Sequence, residues 1–241
     1  MVFLYLKFIK QSRCCELSLY PILYSFRRCP YAIRARYFLA VLDVNVCIRE
    51  VVLKAKPEAL LALGGRTSVP QLIDLEGQRY PESVDIIFWS LMQAKNKSLV
   101  DILWPTEKVG QSKSLAWVNY NDRIFKYWLD RYKYAERYPE RTEEYYRQRG
   151  EVFLHRLEMR LAVSTFILGD SYSFADICLF PFVRQFVGVN PSWFERSGYR
   201  HVRQWLAYFL SSDVFSVVMR KYDKWEEGQI PMYFPCDKRE C

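Results

Sequence analysis

The sequence holds only two histidines in 241 residues, His155 and His201, and neither lies near a pair of cysteines. It contains no Cys-x-x-Cys. Structural zinc sites need several closely spaced Cys and His ligands, so no metal is expected. No apolar run reaches the ~18–20 residues that a membrane-spanning helix requires. Basic residues outnumber acidic ones, 35 to 27, for a net charge of +8, yet they form no polybasic block. A nucleic-acid footprint gathers its charge on one face, so nucleic acid is not an expected partner. The N-terminus lacks the charged start and small-residue cleavage site of a signal peptide. The seven cysteines are odd in number and unevenly spaced, unlike a secreted disulfide framework. The chain reads as reduced and intracellular, with a cytoplasmic location expected.

What the sequence has in quantity is apolar and aromatic surface. Half of the residues are hydrophobic, and Tyr (18), Phe (16) and Trp (7) are abundant. That supports a substantial core, with thick helix–helix packing or an apolar pocket in the aromatic-rich second half. Residues 1–19 read as an extension of unassigned role.

The stretch from Ser25 to Arg36 carries the most chemistry. The apolar run Ile22-Leu23-Tyr24 predicts a short buried strand leading into it. Pro30 predicts the first turn of a helix running to about Asp43, because proline's missing N–H has no intrahelical partner there. Cys29 then falls at the N-cap, facing unpaired N–H groups and the positive end of the helix dipole. Arg27 and Arg28 add positive charge. A thiol so placed is expected to ionise more easily than a free one, and the thiolate is the nucleophile.

Strand and helix signals then alternate. Val46 to Val52 predicts a second strand and Pro57 to Leu63 a short helix. Ser68 to Asp74 predicts a third strand, with Pro70 near its start. A proline there is explained by a cis Val69–Pro70 bond that turns the Val69 backbone outward, towards an extended ligand. Glu76-Gly77-Gln78 marks a hairpin, Arg79-Tyr80 a returning strand, and Pro81-Glu82-Ser83 the start of another helix, an anion-friendly position. The order is strand–helix–strand–helix–strand–strand–helix, a thioredoxin-like half over residues 20–94.

Tyr24-Ser25-Phe26-x-x-Cys29-Pro30-Tyr31-x-x-Arg34, Lys56-Pro57-Glu58, Ser68-Val69-Pro70-Gln71-Leu72 and Pro81-Glu82-Ser83 stand in one order and at telling spacings. Together they resemble the N-terminal domain of the glutathione S-transferases, and most closely the cysteine-type, omega-like and glutaredoxin-like members. The resemblance implies glutathione as co-substrate. Val69, after which Pro70 turns the chain, would pair with the cysteinyl backbone of glutathione. Glu82 and Ser83 would hold its γ-glutamyl end, and Lys56 its glycyl carboxylate. Tyr31 would border the same site. Ala32 stands where a dithiol oxidoreductase carries its second cysteine, so Cys29 has no resolving partner in the motif. Ser25 and Tyr24, the nearby hydroxyls, rank below it.

Residues 95–110 read as a linker. From Gln111 strand signals vanish, and an all-helical half is predicted over 111–225, with a charged tail over 226–241. Long helices are expected at Lys113–Tyr134 and from Arg141 to about Ala162, then at Pro191–Leu210 and Ser212–Trp225. Ser173 and Asp176 are spaced as a capping box at the start of a buried helix, a structural role. This half resembles the transferase C-terminal domain, which would supply the wall of an electrophile pocket. Trp117, Tyr120, Asn121 and Ile124 are its expected residues. The resemblance implies a glutathione-dependent thiol transferase or reductase, probed by deglutathionylation or dehydroascorbate-type reduction, and a homodimer. Glutathione conjugation or reductive dehalogenation of a small apolar electrophile, and a non-enzymatic binding protein of the same fold, are the alternatives.

Overall fold

The computed structural model describes residues 19–236. Most of the expected N-terminal extension, and the last residues of the expected tail, lie outside the described residues. The chain begins with β1 (Ile22–Ser25), α1 (Pro30–Val41), β2 (Val46–Glu50), α2 (Glu58–Leu61), β3 (Gln71–Ile73), β4 (Arg79–Tyr80) and α3 (Ser83–Gln93). Helices follow: α4 (Lys97–Leu103), α5 (Lys108–Tyr120), a π-helical turn (Asn121–Phe125), α6 (Lys126–Lys133) and a 3-10 turn (Ala135–Arg137). Then come α7 (Glu143–Leu161), α8 (Phe174–Val187), α9 (Pro191–Arg196), α10 (Arg200–Leu210), α11 (Asp213–Val218) and a last strand, β5 (Met232–Phe234). This is a thioredoxin-like sheet-and-helix domain followed by an all-helical domain.

The sheet runs in the order β4-β3-β1-β2-β5. Strand β1 lies parallel to β2 and antiparallel to β3, which puts Leu23 opposite both Ile48 and Leu72. All three are fully buried. Side chains alternate across a strand, so this apolar row defines one face and turns Tyr24 to the other. The Leu23 face joins the main core with α1 and α3, while Tyr24, Val51, Leu60 and Val69 form a second, smaller cluster. Helix α1 packs against α3 on one side and against α8 of the helical domain on the other. Its N-terminus, and hence Cys29, therefore sits at the junction of the two domains.

Inside the helical domain the Phe186 ring of α8 lies against Gly150 of α7. A Cβ at Gly150 would fall 2.4 Å from the Phe186 ring, so glycine is what permits the approach. The capping box forms as expected. Asp176, fully buried, accepts from the Ser173 backbone N–H (2.9 Å) and hydroxyl (2.7 Å), and from the Ile167 N–H (2.9 Å) and the Trp205 indole (2.8 Å). Burial pushes its carboxyl up, against the four hydrogen bonds that draw it down.

Four sequence expectations are corrected. The helix expected over Lys113–Tyr134 is interrupted by the π turn. The expected helix Pro191–Leu210 divides at Ser197–Tyr199 into α9 and α10. Only Asp213–Val218 is α-helical in the stretch Ser212–Trp225. The segment taken as a charged tail supplies β5, which pairs antiparallel with β2 through Val46–Phe234, Cys47–Tyr233 and Ile48–Met232.

Candidate active site

Cys29 is the N-cap of α1, with Pro30 in the first helical turn. The loop before it is short and tightly held. The Cys29 N–H donates to the Phe26 carbonyl (3.0 Å). Arg27 is fixed on both sides of its residue: its N–H donates to Glu50 Oε1 (2.7 Å), and its carbonyl accepts from Arg36 Nη2 (2.8 Å). Arg36 lies seven residues after Cys29, two turns along α1, and is fully buried. Its Nη1 stands 4.0 Å from Glu50 Oε2. Burial dominates this pair, lowering the guanidinium to about 10 and raising the Glu50 carboxyl. A buried arginine and glutamate thus grip the peptides that present the cysteine.

Cys29 is a free cysteine that is not buried, whereas Cys47 and Cys178 are both buried. Its sulfur lies 3.6 Å from the Val69 carbonyl oxygen, with the thiol as donor. The Val69–Pro70 peptide is cis, as the sequence suggested. The pKa expectation is corrected. Burial pushes the Cys29 thiol up; the Ala32 and Tyr31 backbone N–H groups and the Lys126 and Arg36 charges pull it down without overcoming that cost. The helix terminus acts in the foreseen direction, but desolvation is larger. Cys236 is disulfide-bonded, so the reading of the cysteines as wholly reduced does not hold there.

The other hydroxyls at the motif do not stand open beside Cys29. Ser25 is fully buried within β1. The Tyr24 hydroxyl accepts from Arg49 Nη1 (2.6 Å). Ala32 occupies the resolving position and is fully buried.

The residues expected around glutathione have the following contacts. Lys56 donates to the Thr67 hydroxyl (3.2 Å). Glu82 pairs with Arg66, and both are largely exposed. Ser83 opens α3 but is 1% exposed, and its hydroxyl accepts from Arg34 Nε (2.9 Å). The loop bearing Arg66, Thr67 and Val69 is held from beneath. Gln71 Nε2 donates to the carbonyls of Arg66 and Ser68 (2.7 Å each), and Arg79 donates to Gln71 Oε1 (2.8 Å) and to the Leu63 and Gly64 carbonyls. The sequence reading gave Arg66, Gln71 and Arg79 no site role. A cation in the Gly64-Gly65-Arg66-Thr67 break, just before the cis-proline, was the available signal.

Arg34 ties this side to the helical domain. It is buried, and its guanidinium makes two parallel bonds to Asp122 (2.9 and 2.8 Å) while lying over the Tyr31 ring at 4.9 Å. Asp122 stands in the π turn. Such a turn is wider than an α turn and shifts the faces of the helix that follows.

The four residues expected to wall an electrophile pocket lie in α5 and the π turn. The Trp117 and Tyr120 rings pack against Phe153, Asn121 is buried with its Nδ2 on Asp122, and Ile124 is 47% exposed. None of the four lines the cleft beside Cys29. That cleft, of about 1300 Å³, is walled by Phe26, Cys29 and Tyr31 on one side and by Lys126, Lys133 and Arg184 on the other. The residues beyond the π turn, not those before it, face the cysteine.

A thioredoxin-like domain presenting one accessible cysteine at a helix start, joined to a helical domain that walls a cleft beside it, defines a class of two-domain thiol-site proteins. Residues 23–98 match the family model "Glutathione S-transferase, N-terminal domain" and residues 128–207 match "Glutathione S-transferase, C-terminal domain". Together they span well over half of the sequence: the chain belongs to the glutathione S-transferase superfamily. Solved structures share the fold at low identity. One is a glutathione transferase family member from Pseudomonas fluorescens with two glutathione bound (18% identity, TM-score 0.71, covering 87% of this chain and 96% of that one). Others are poplar glutathione transferase F1 (19%, 0.67, 83% and 96%) and a Tau class glutathione S-transferase from mango (19%, 0.65, 84% and 93%). No curated protein matches the chain.

Proposed function

We propose that the protein is a glutathione-dependent thiol transferase whose single nucleophile is Cys29. The observation that carries this reading is the position of Cys29: an accessible thiol at the start of α1, with Ala32 rather than cysteine at the resolving position. The Cys29 thiolate attacks the glutathione sulfur of a mixed disulfide R–S–S–G. The S–S bond breaks, RS⁻ leaves and takes a proton, and a Cys29–glutathione disulfide forms. A second glutathione thiolate attacks the glutathione sulfur of that disulfide, releasing glutathione disulfide and regenerating the Cys29 thiolate.

In this reading Val69 pairs with the cysteinyl portion of glutathione next to Pro70, and Lys56 meets the glycyl carboxylate. Glu82 and the first turn of α3 at Ser83 take the γ-glutamyl end, with Arg66 beside Glu82. Tyr31 borders the thiol. The Ser83 hydroxyl already accepts from Arg34, so its contribution is through the helix N-terminus. A cytoplasmic glutathione pool and a homodimer accompany the reading.

The test is turnover of a small glutathione mixed disulfide with excess glutathione. Cys29→Ser should lose activity on the order of 10³-fold or more, since it removes the nucleophile itself. Retained activity in a Cys29→Ser protein sinks the proposal.

A further inference from the structure

We infer that the cleft beside Cys29 takes its second substrate as an anion with an apolar body; the inference rests on the thiol-transfer reading above. Five cationic side chains line the cleft: Arg28, Lys54, Lys126, Lys133 and Arg184 from two domains. Asp130 is the single carboxylate among its lining residues, and it is already paired with Lys126. Among the described residues the other four make no ion pair. Three of them face rings instead: Arg28 over Phe26 at 5.6 Å, Lys133 over Tyr134 at 4.8 Å and Arg184 over Phe215 at 5.5 Å.

These cations are not the groups assigned to glutathione. Lys56, Arg66, Val69, Glu82 and Ser83 do not line the cleft; of the residues assigned to glutathione only Tyr31, beside Cys29, borders it. Much of the rest of its wall is apolar, with Val187, Val189, Leu206 and Leu210 contributed by α8, α10 and the turn between α8 and α9, beside the polar Gln185. Like charges facing one cavity repel each other, and an apolar wall weakens the screening that water would give. Arg184 is half-buried, and both desolvation and the nearby Arg27 charge disfavour its ionised form. An entering anion relieves that repulsion, while the aliphatic wall takes the remainder of the ligand. A neutral apolar electrophile gains only the second of these.

The experiment compares the glutathione mixed disulfides of 3-mercaptopropionate and of 2-mercaptoethanol. Their glutathione halves are identical, so demands of the second glutathione cancel and only the charge of the leaving half differs. The anionic substrate should show about a tenfold higher kcat/KM at low ionic strength, equivalent to roughly 1.4 kcal/mol. The preference should shrink as salt is raised. Lys133→Ala combined with Arg184→Ala should bring the ratio towards one. Equal use of the two substrates by the wild type, or a ratio untouched by both salt and the double variant, overturns the inference. If the double variant does not fold, the wild-type salt dependence decides alone.

If the wild type turns over neither disulfide, the thiol-transfer reading has failed, and alkylation judges the cleft separately. The Cys29 sulfur bonds to the methylene carbon of iodoacetate or iodoacetamide and displaces iodide into solvent, and peptide mass spectrometry reports the site. An iodoacetate-to-iodoacetamide rate ratio above that of free 2-mercaptoethanol upholds an anion-accepting cleft. A ratio equal to or below that reference overturns it.

Discussion

The Cys29 thiol donates to the Val69 carbonyl oxygen across 3.6 Å. A thiolate has no hydrogen to give, and it would face the carbonyl lone pairs. The contact therefore favours the protonated cysteine, in the same direction as burial. In the ligand-free protein, the rate of Cys29 carbamidomethylation should climb with pH to a midpoint above the ~8.5 of a free thiol. Peptide-resolved kinetics with iodoacetamide measure it. A midpoint near 7 would mean that the N-terminus of α1 outweighs burial after all.

Arg34 and Asp122 join the two domains by paired hydrogen bonds with 2% and 25% of their side chains exposed. Removing one partner of such a pair leaves an uncompensated charge in a dry site. Asp122→Ala should cost on the order of 3 kcal/mol of stability. Urea unfolding would report it as a lower midpoint. A cost within a few tenths of a kcal/mol would show that Arg34 is held by its ring contacts and Ser83 alone.

The Arg36–Glu50 pair predicts a different signature. Glu50→Gln keeps an oxygen for the Arg27 N–H, whereas Glu50→Ala loses both that acceptor and the carboxylate facing Arg36. The alanine variant should be less stable than the glutamine variant by about 1–3 kcal/mol, the usual cost of a buried donor left without a partner. It should also speed Cys29 alkylation relative to the glutamine variant, because a loosened loop exposes the thiol whose burial holds it protonated. Thermal melts and alkylation rates measured on both proteins separate the two effects. Identical alkylation rates would confine the pair to a purely structural role.

Asp176 accepts four hydrogen bonds inside the helical core. Asp176→Ala strands the Ile167 N–H and the Trp205 indole and removes the cap of α8, so a loss of about 3 kcal/mol or more is expected. The fluorescence of Trp205 in the unfolding curve is the local reporter. Stability within 1 kcal/mol of the wild type would contradict the buried network.

The parts of the site legible in the sequence were those encoded locally. Pro30 announced a helix start and so placed Cys29 at its N-cap; Pro70 in a strand announced the cis peptide; Ser173 and Asp176 announced the capping box. The lining of the cleft beside Cys29 was not legible, for a physical reason. A continuous α-helix was assumed through Tyr134, and five residues of π geometry change the phase, turning Lys126 and Lys133 towards Cys29 in place of Trp117 and Tyr120. The burial of Arg36 carried no sequence mark either, because its partner Glu50 lies on a strand and only the folded sheet brings them together. Strand β5 is three residues between Pro231 and Pro235, too short to announce itself.

That last strand has a consequence for how the molecule is made. Its partner, β2, leaves the ribosome early, yet Met232–Phe234 emerge only after every helix of the second domain. Until then one border of the nascent sheet offers unpaired N–H and C=O groups to any neighbouring chain, the standard template for intermolecular pairing. Synthesis order thus leaves the thiol-bearing domain unfinished through the whole translation of the helical one, and a strand made late closes a sheet begun early.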